Sequence, residues 1–305
     1  MPTRQIGLLS ALLLLALALP IQARTLETAF GPVSIEGTPN RIVALHEGAL
    51  DTALALEFKP VAAVSTRGAD SVASYVSERA GGIAIVGKPR EINLEAIASQ
   101  RPDIILAGPL LSKTEYQRLS KIAPTFVPIQ EGLERGQWKQ LTRFYARALG
   151  AENKADALIA QIQSRAEQLA EQVHGQTNEA LVVRWMPQGA VVMSDQVFSS
   201  DILASAGFTV DDKGLVSKTR PHSDPLSLEN LGLVDRDWLF LATLNDDGDQ
   251  ALAQAKQSAA FNRLDVVSNN HVIAVDGQLW SSAAGPLAAH AILDDIEQTL
   301  MDYID

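Results

Sequence analysis

Two periodicities alternate along most of this chain. Apolar runs short enough to be buried strands recur between stretches whose apolar residues return every three or four positions. Arg41-Ile42-Val43-Ala44-Leu45 is the first strand pattern and stops at His46-Glu47-Gly48; Leu50, Ala53, Leu54 and Leu56 then mark one face of a helix. Pro60 to Val64, Ile83 to Val86 and Asp103 to Ala107 repeat the strand pattern. They end at Ser65-Thr66-Arg67-Gly68, Gly87-Lys88-Pro89-Arg90 and Gly108-Pro109. Asn93 is placed to cap the intervening helix, with Glu95 in its first turn. Strands alternating with helices predict a mostly parallel sheet covered on both faces.

Residues 137–174 break that rhythm. Leu141, Phe144, Tyr145, Ala148 and Leu149 predict one helix, Gly150 interrupts it, and apolar positions from Ala155 to Val173 predict a long second helix ending before Gly175. A helix of that length exceeds a simple crossover and suits a rigid spine. The α/β alternation then resumes, with strands expected at Leu181–Trp185, Ala190–Met193, Trp238–Ala242 and Val272–Val275 and a closing helix over Ala283–Ile304. The expected fold is therefore α/β, with two Rossmann-like lobes at 24–136 and 176–305, each around a mostly parallel sheet, joined by linking helices at 137–175. A weak internal repeat supports two lobes of similar design. Asn93-Leu94-Glu95 through Asp103–Leu106 resembles Ser227-Leu228-Glu229 through Asp237–Phe240, although generic cap–helix–strand units could coincide by chance.

The first 23 residues differ from the rest. Arg4 precedes an apolar run from Leu8 to Leu19, broken by Pro20 and followed by Ala23. This pattern predicts a secretory signal peptide cleaved near Ala23. Its apolar core falls short of the roughly 20 residues that span a bilayer. The chain has no cysteine, so disulfides, thiolate metal sites and thiol nucleophiles are excluded, and no thiol is present for lipid attachment. A soluble, unanchored, monomeric periplasmic protein without membrane insertion is expected. With 25 basic and 36 acidic residues the net charge is −11, which argues against nucleic acid and anionic lipid as partners. Gly-x-Ser-x-Gly, His-Glu-x-x-His and a Gly-rich phosphate loop are all missing from the sequence, so no enzyme is expected.

Several segments together carry a family likeness: the strand Arg41–Leu45, Asn93-Leu94-Glu95-Ala96-Ile97 through Arg101–Leu106, Ile122-Ala123-Pro124-Thr125, the long central helix and the second α/β lobe. The chain resembles the periplasmic binding proteins of iron-siderophore and vitamin B12 ABC importers, the class with a helical hinge. Ferric citrate and ferric hydroxamate binders are the nearest in pattern. The resemblance covers nearly all of the chain after the leader and is most specific from Gly87 to Gly108. It implies a shallow cleft between lobes, modest lobe motion, and one acidic residue per lobe that docks on arginines of the inner-membrane permease–ATPase complex. Glu95 and Glu229 stand at those positions. Helix N-terminal charge is the simpler reading of each.

In open α/β sheets ligands collect at the carboxyl ends of strands. That rule selects His46, Glu47, Thr66, Arg67, Arg90, Gly108 and Pro109 in the first lobe, and Arg184, Trp185, Arg220 and His222 in the second. Trp280 occupies a position where the family commonly turns an aromatic ring to the ligand. The family's usual arginine after Gly87 falls either at Arg90 or one residue earlier, at Pro89. Arginines ringing a cleft in an acidic protein point to an anionic ligand such as a ferric siderophore, because the guanidinium fork matches carboxylates and chelate oxygens. Trp185 and Trp280 are candidates for stacking on the ligand, with core packing the alternative; Trp238 reads as core. The histidines show no metal-ligand spacing. No metal site or cofactor of the protein's own is expected: the chelator would hold the iron and the protein the chelator. Cobalamin or haem on the same scaffold is the alternative ligand.

Overall fold

A computed structural model describes residues 23–173 and 178–303 of the chain. The expected leader and the junction around His174 and Gly175 lie outside the described residues. The chain opens with an antiparallel pair, β1 (Arg24–Thr28) and β2 (Gly31–Ile35). The first sheet follows, built from β3 (Ile42–Ala44), β4 (Ala62–Ala63), β5 (Ala84–Ile85), β8 (Ile104–Leu106) and β9 (Thr125–Phe126). Its order is β5-β4-β3-β8-β9 and every pair is parallel. Between these strands run α1 (Glu47–Ala55), α2 (Ser74–Ala80), the small hairpin β6 (Gly87–Lys88) and β7 (Glu91–Ile92), α3 (Leu94–Ser99) and α4 (Lys113–Leu119). The near-continuous apolar character of β3 and β8 is explained by burial on both faces, as parallel sheets require.

Helices α5 (Gln137–Leu149) and α6 (Glu152–Val173) link the halves. Gly150, at φ 76°, ends α5 in the left-handed conformation that glycine adopts without penalty. The 22 residues of α6 span about 33 Å. Its Ala155 packs in the core of the first lobe, whereas Ile159, Ile162, Ala166, Leu169 and Val173 pack in that of the second. The helix is thus buried in both lobes, which is what makes it a rigid spine.

The second sheet comprises β10 (Glu179–Met186), β11 (Gly189–Val192), β12 (Thr209–Val210), β13 (Trp238–Thr243) and β14 (Val272–Asp276). Its order is β11-β10-β13-β14, with β12 beside the start of β10; only β11 runs antiparallel. Helices α7 (Phe198–Ser205), α8 (Asp246–Ala255), α9 (Ala259–Asn262), α10 (Asp265–Ser268) and α11 (Gly277–Ser281) cover it. The closing helix, α12, runs over Pro286–Tyr303 and so begins three residues later than expected.

The internal repeat holds at one point and departs at another. Asp103 accepts from the backbone N–H of Asn40 and Arg41, just before β3, and Asp237 accepts from that of Glu179 at the start of β10. Each aspartate closes the amino end of the neighbouring parallel strand. Asn93, however, caps α3 through a bond from the Ala96 N–H, whereas Ser227 makes no such bond and residues 228–234 form a 3₁₀ helix.

The lobes are tied behind the cleft. Asp51 of α1 accepts hydrogen bonds from the Leu287 and Ala288 N–H groups, so the first lobe caps the last helix. Ser74 donates to Asp276 at 2.8 Å.

Candidate functional site

Two adjoining chambers lie between the lobes and share Arg67, Arg90 and Pro221. One, of about 690 Å³, is polar: Thr66, Asp70, Lys88, Glu91 and His222 are among its walls. The other, of about 430 Å³, is lined in part by Leu110, Leu133, Met193, Val197 and Phe198 and contains no acidic residue. A separate concavity of about 630 Å³ lies between β1 and α5, away from the inter-lobe cleft. Its arginines are already engaged, Arg24 by the Ala148 carbonyl and Arg147 by Glu152.

Local chemistry sets the shared wall. Glu47, in the first turn of α1, accepts from the Thr66 hydroxyl and from the Arg67 N–H at 3.0 Å. The carboxylate thereby fixes the β4–α2 loop, and Arg67 projects from it, exposed. Burial pushes the Glu47 carboxyl up, against the pull of these bonds. Arg90 sits at the tip of the β6–β7 hairpin with φ 70°. A side chain in that region costs about 1–2 kcal/mol, and such strain persists where the position is otherwise required.

Arg184 is the unusual residue. It lies near the carboxyl end of β10, is only 3% exposed, and its Nε is buried without a hydrogen-bond partner. Its Nη2 donates to the Met186 sulfur at 3.7 Å. Burial and the nearby Arg67 charge both push its pKa down. Among the described residues no carboxylate lies within ion-pair distance of Arg67, Arg90 or Arg184. Arg67 and Arg90 line both chambers, whereas Arg184 lines neither and lies buried close to the Arg67 charge; in a chain with 36 acidic residues this concentrates unpaired positive charge at one cleft.

Several expected site residues do other work. Trp280 is 1% exposed; it stacks on Phe240 with centroids 4.8 Å apart, and its indole N–H donates to Asp295 at 2.7 Å, so it backs the apolar chamber without offering its face. Trp185 is buried edge-on to Phe261 in the core on the far face of the sheet. Arg220 is exposed and ion-paired with Asp224 at 2.8 Å, and it lines neither chamber. His46 is pushed down to about 4 by burial, so it is neutral at pH 7 and offers no cation. Gly108 exists for His46: a Cβ there would come within 2.7 Å of the imidazole. Pro109 is half-buried and lines neither chamber. Thr66, Arg67, Arg90 and His222 do reach the cleft. Trp238 is core, stacked on His271. Glu95 and Glu229 are both exposed, one in each lobe.

Sequence reasoning passed over Leu110, Leu133 and Phe198, which form the apolar wall, and Lys88, which lines the polar chamber while paired with Asp70. Phe198 brings an aromatic ring to that lining and is braced edge-on by Trp138 at 5.9 Å.

Two α/β lobes, fixed on a shared spine and presenting cations into a cleft between them, define a ligand-binding clamp. The comparisons with known proteins agree. The chain belongs to the periplasmic binding protein family, whose sequence model matches residues 42–279. The probable siderophore-binding lipoprotein YfiY of Bacillus subtilis is 31% identical over 287 residues, covering 90% of this chain and 87% of that protein. The Fe(3+) dicitrate-binding periplasmic protein FecB of Escherichia coli is 25% identical over 273 residues, covering 90% and 89% respectively. The crystal structure of Staphylococcus aureus SirA complexed with staphyloferrin B superposes with a TM-score of 0.79 at 25% identity, over 91% of this chain and 98% of that one.

Proposed function

We propose that this protein is the extracytoplasmic binding component of an ABC importer and that it captures an anionic ferric siderophore. The observation that carries the reading is the pair Arg67 and Arg90, which line the inter-lobe cleft without carboxylate partners among the described residues, with Arg184 buried close to the Arg67 charge. Two similar proteins bear names for siderophore and ferric dicitrate binding, and SirA holds staphyloferrin B. The iron is cargo, held by its chelator. Among the described residues no group of three or more His, Asp or Glu side chains is placed to hold a metal directly. The protein binds and releases its ligand unchanged and needs no cofactor. Exposed Glu95 and Glu229 supply one docking charge per lobe for the permease. Among the described residues no helix is long and apolar enough to cross a membrane, and the periplasm is the proposed location.

Isothermal titration of the purified protein with ferric citrate, ferric hydroxamates, ferric catecholates, the iron-free chelators, cobalamin and haemin tests this. Saturable binding of an anionic ferric chelate, lost in Arg67→Ala and Arg184→Met, is the expected result. Binding of cobalamin or haemin alone would keep the clamp and replace the ligand.

A further inference from the structure

We infer that the cleft selects a two-ended ligand: an anionic ferric chelate at the arginine junction, carrying an uncharged, partly hydrocarbon arm that lies between Leu110 and Phe198. This deepens the proposed function and rests on the ligand being an anionic ferric chelate.

The two chambers differ in kind. The polar one mixes Lys88 and His222 with Asp70 and Glu91 and has no large aliphatic or aromatic wall. The second has no acidic residue and places Leu110 from the first lobe and Phe198 from the second in one lining. Arg67 and Arg90 belong to both, so the charge that binds the chelate sits at the boundary. A compact, fully charged ligand would leave the apolar chamber to water. Leu110 is 81% exposed, the most exposed large hydrophobic residue among those described. A lone exposed leucine needs no explanation. This one stands at the edge of an apolar wall continued by the other lobe, where a ligand arm would cover it. Gln130, Ser199 and Thr219 belong to the same lining, so an arm whose hydrocarbon follows an amide or hydroxamate meets polar partners that a pure hydrocarbon would leave unused. The chambers together are large enough for such a ligand, since small-molecule sites commonly enclose about 300–1,000 Å³.

The test uses two ferric citryl-dihydroxamates of equal charge, one ending in acetyl groups and the other in hexanoyl groups, titrated calorimetrically into the purified full chain. Each fully buried methylene is worth about fourfold in affinity, so partial cover of the longer arm gives about tenfold tighter binding. Leu110→Ser, at an exposed position that leaves the core untouched, removes most of that preference. The readout is the ratio of the two affinities in each protein, which falls from about ten toward one in the variant. Phe198→Ala acts in the same direction, with a melting curve to confirm the fold. Equal affinity for the two chelates, or a preference that survives both substitutions, overturns the two-ended ligand while leaving the anionic-chelate function standing. Binding of neither chelate overturns the two-ended ligand; the anionic-chelate function falls only if ferric citrate and the ferric catecholates are not bound either.

Discussion

Arg184→Met separates a binding residue from a structural one, because the two roles predict opposite changes in stability. The guanidinium is 3% exposed, its Nε has no acceptor, and Arg67 adds like charge nearby. An unsatisfied buried donor costs about 1–3 kcal/mol, and a buried ion without its counter-ion costs more. Methionine keeps most of the aliphatic stem and discards the charge. The ligand-free variant is therefore expected to be more stable by about 1–2 kcal/mol, a rise in Tm of about 1.5–3 °C for a chain of this size. The same change removes a charge-assisted contact to the ligand, worth about 1.5–3 kcal/mol, so affinity falls about 10- to 150-fold. Differential scanning fluorimetry and calorimetric titration of one protein preparation read both effects. Arg184→Lys, which restores charge without the fork, should recover only part of the affinity. A variant that melts lower than native and still binds within twofold would refute the reasoning and make Arg184 a packing residue.

Other expectations follow from particular residues. Arg90→Gly relieves the left-handed strain at φ 70° and should raise stability by about 1 kcal/mol while weakening ligand binding, measured by the same pair of assays. Burial pushes the Asp51 carboxyl up to about 7 from an ordinary value of 3.8, so between those values the folded state holds a proton that the unfolded chain releases. Its contribution is complete below about pH 4 and is lost as pH rises toward 7, an effect of up to about 4 kcal/mol. Urea midpoints of the native protein should therefore fall between pH 5 and pH 7.5, and those of Asp51→Asn should fall less. Glu95→Arg and Glu229→Arg should leave ligand affinity unchanged and abolish ligand-stimulated ATP hydrolysis in the reconstituted importer; undiminished stimulation would remove both from the docking surface.

The first lobe was more legible in sequence than the second, for a geometric reason. Its sheet is wholly parallel, so the carboxyl-end rule applied directly and found Thr66, Arg67 and Arg90. In the second lobe Met193, Val197 and Phe198 follow β11, the one antiparallel strand, to which that rule does not apply. Trp185 was misplaced because Ala180 to Val183 is apolar at every position. Without polar alternation no residue marks which face of β10 is which. The structure puts Val182 on one core and Leu181, Val183 and Trp185 on the other, so Arg184 alone of the pair turns away from the Phe261 side. Trp280 and Phe240, distant in sequence, stack only because α11 folds back over β13, a contact no local pattern encodes.

The ties behind the cleft limit how the clamp exchanges its ligand. Swinging the lobes apart would pull Asp51 from the N–H groups of Leu287 and Ala288, leaving a buried carboxylate and the uncapped start of an 18-residue helix. It would also break the Ser74–Asp276 bond and separate Gly68 from the Leu244 carbonyl, which lies 3.1 Å from where a Cβ would stand. Loss of the cap alone costs about 1–2 kcal/mol, and orphaned buried groups add to it. The spine α6, buried in both cores, resists the same motion. Such a frame admits ligand through a mouth that is already open, and the adjustments that hold it fall to side chains at the rim. Arg67, Arg90 and Leu110 are exposed there, so they can adjust to a ligand without disturbing either core, whereas Arg184, 3% exposed and close to the Arg67 charge, cannot move without repacking around β10.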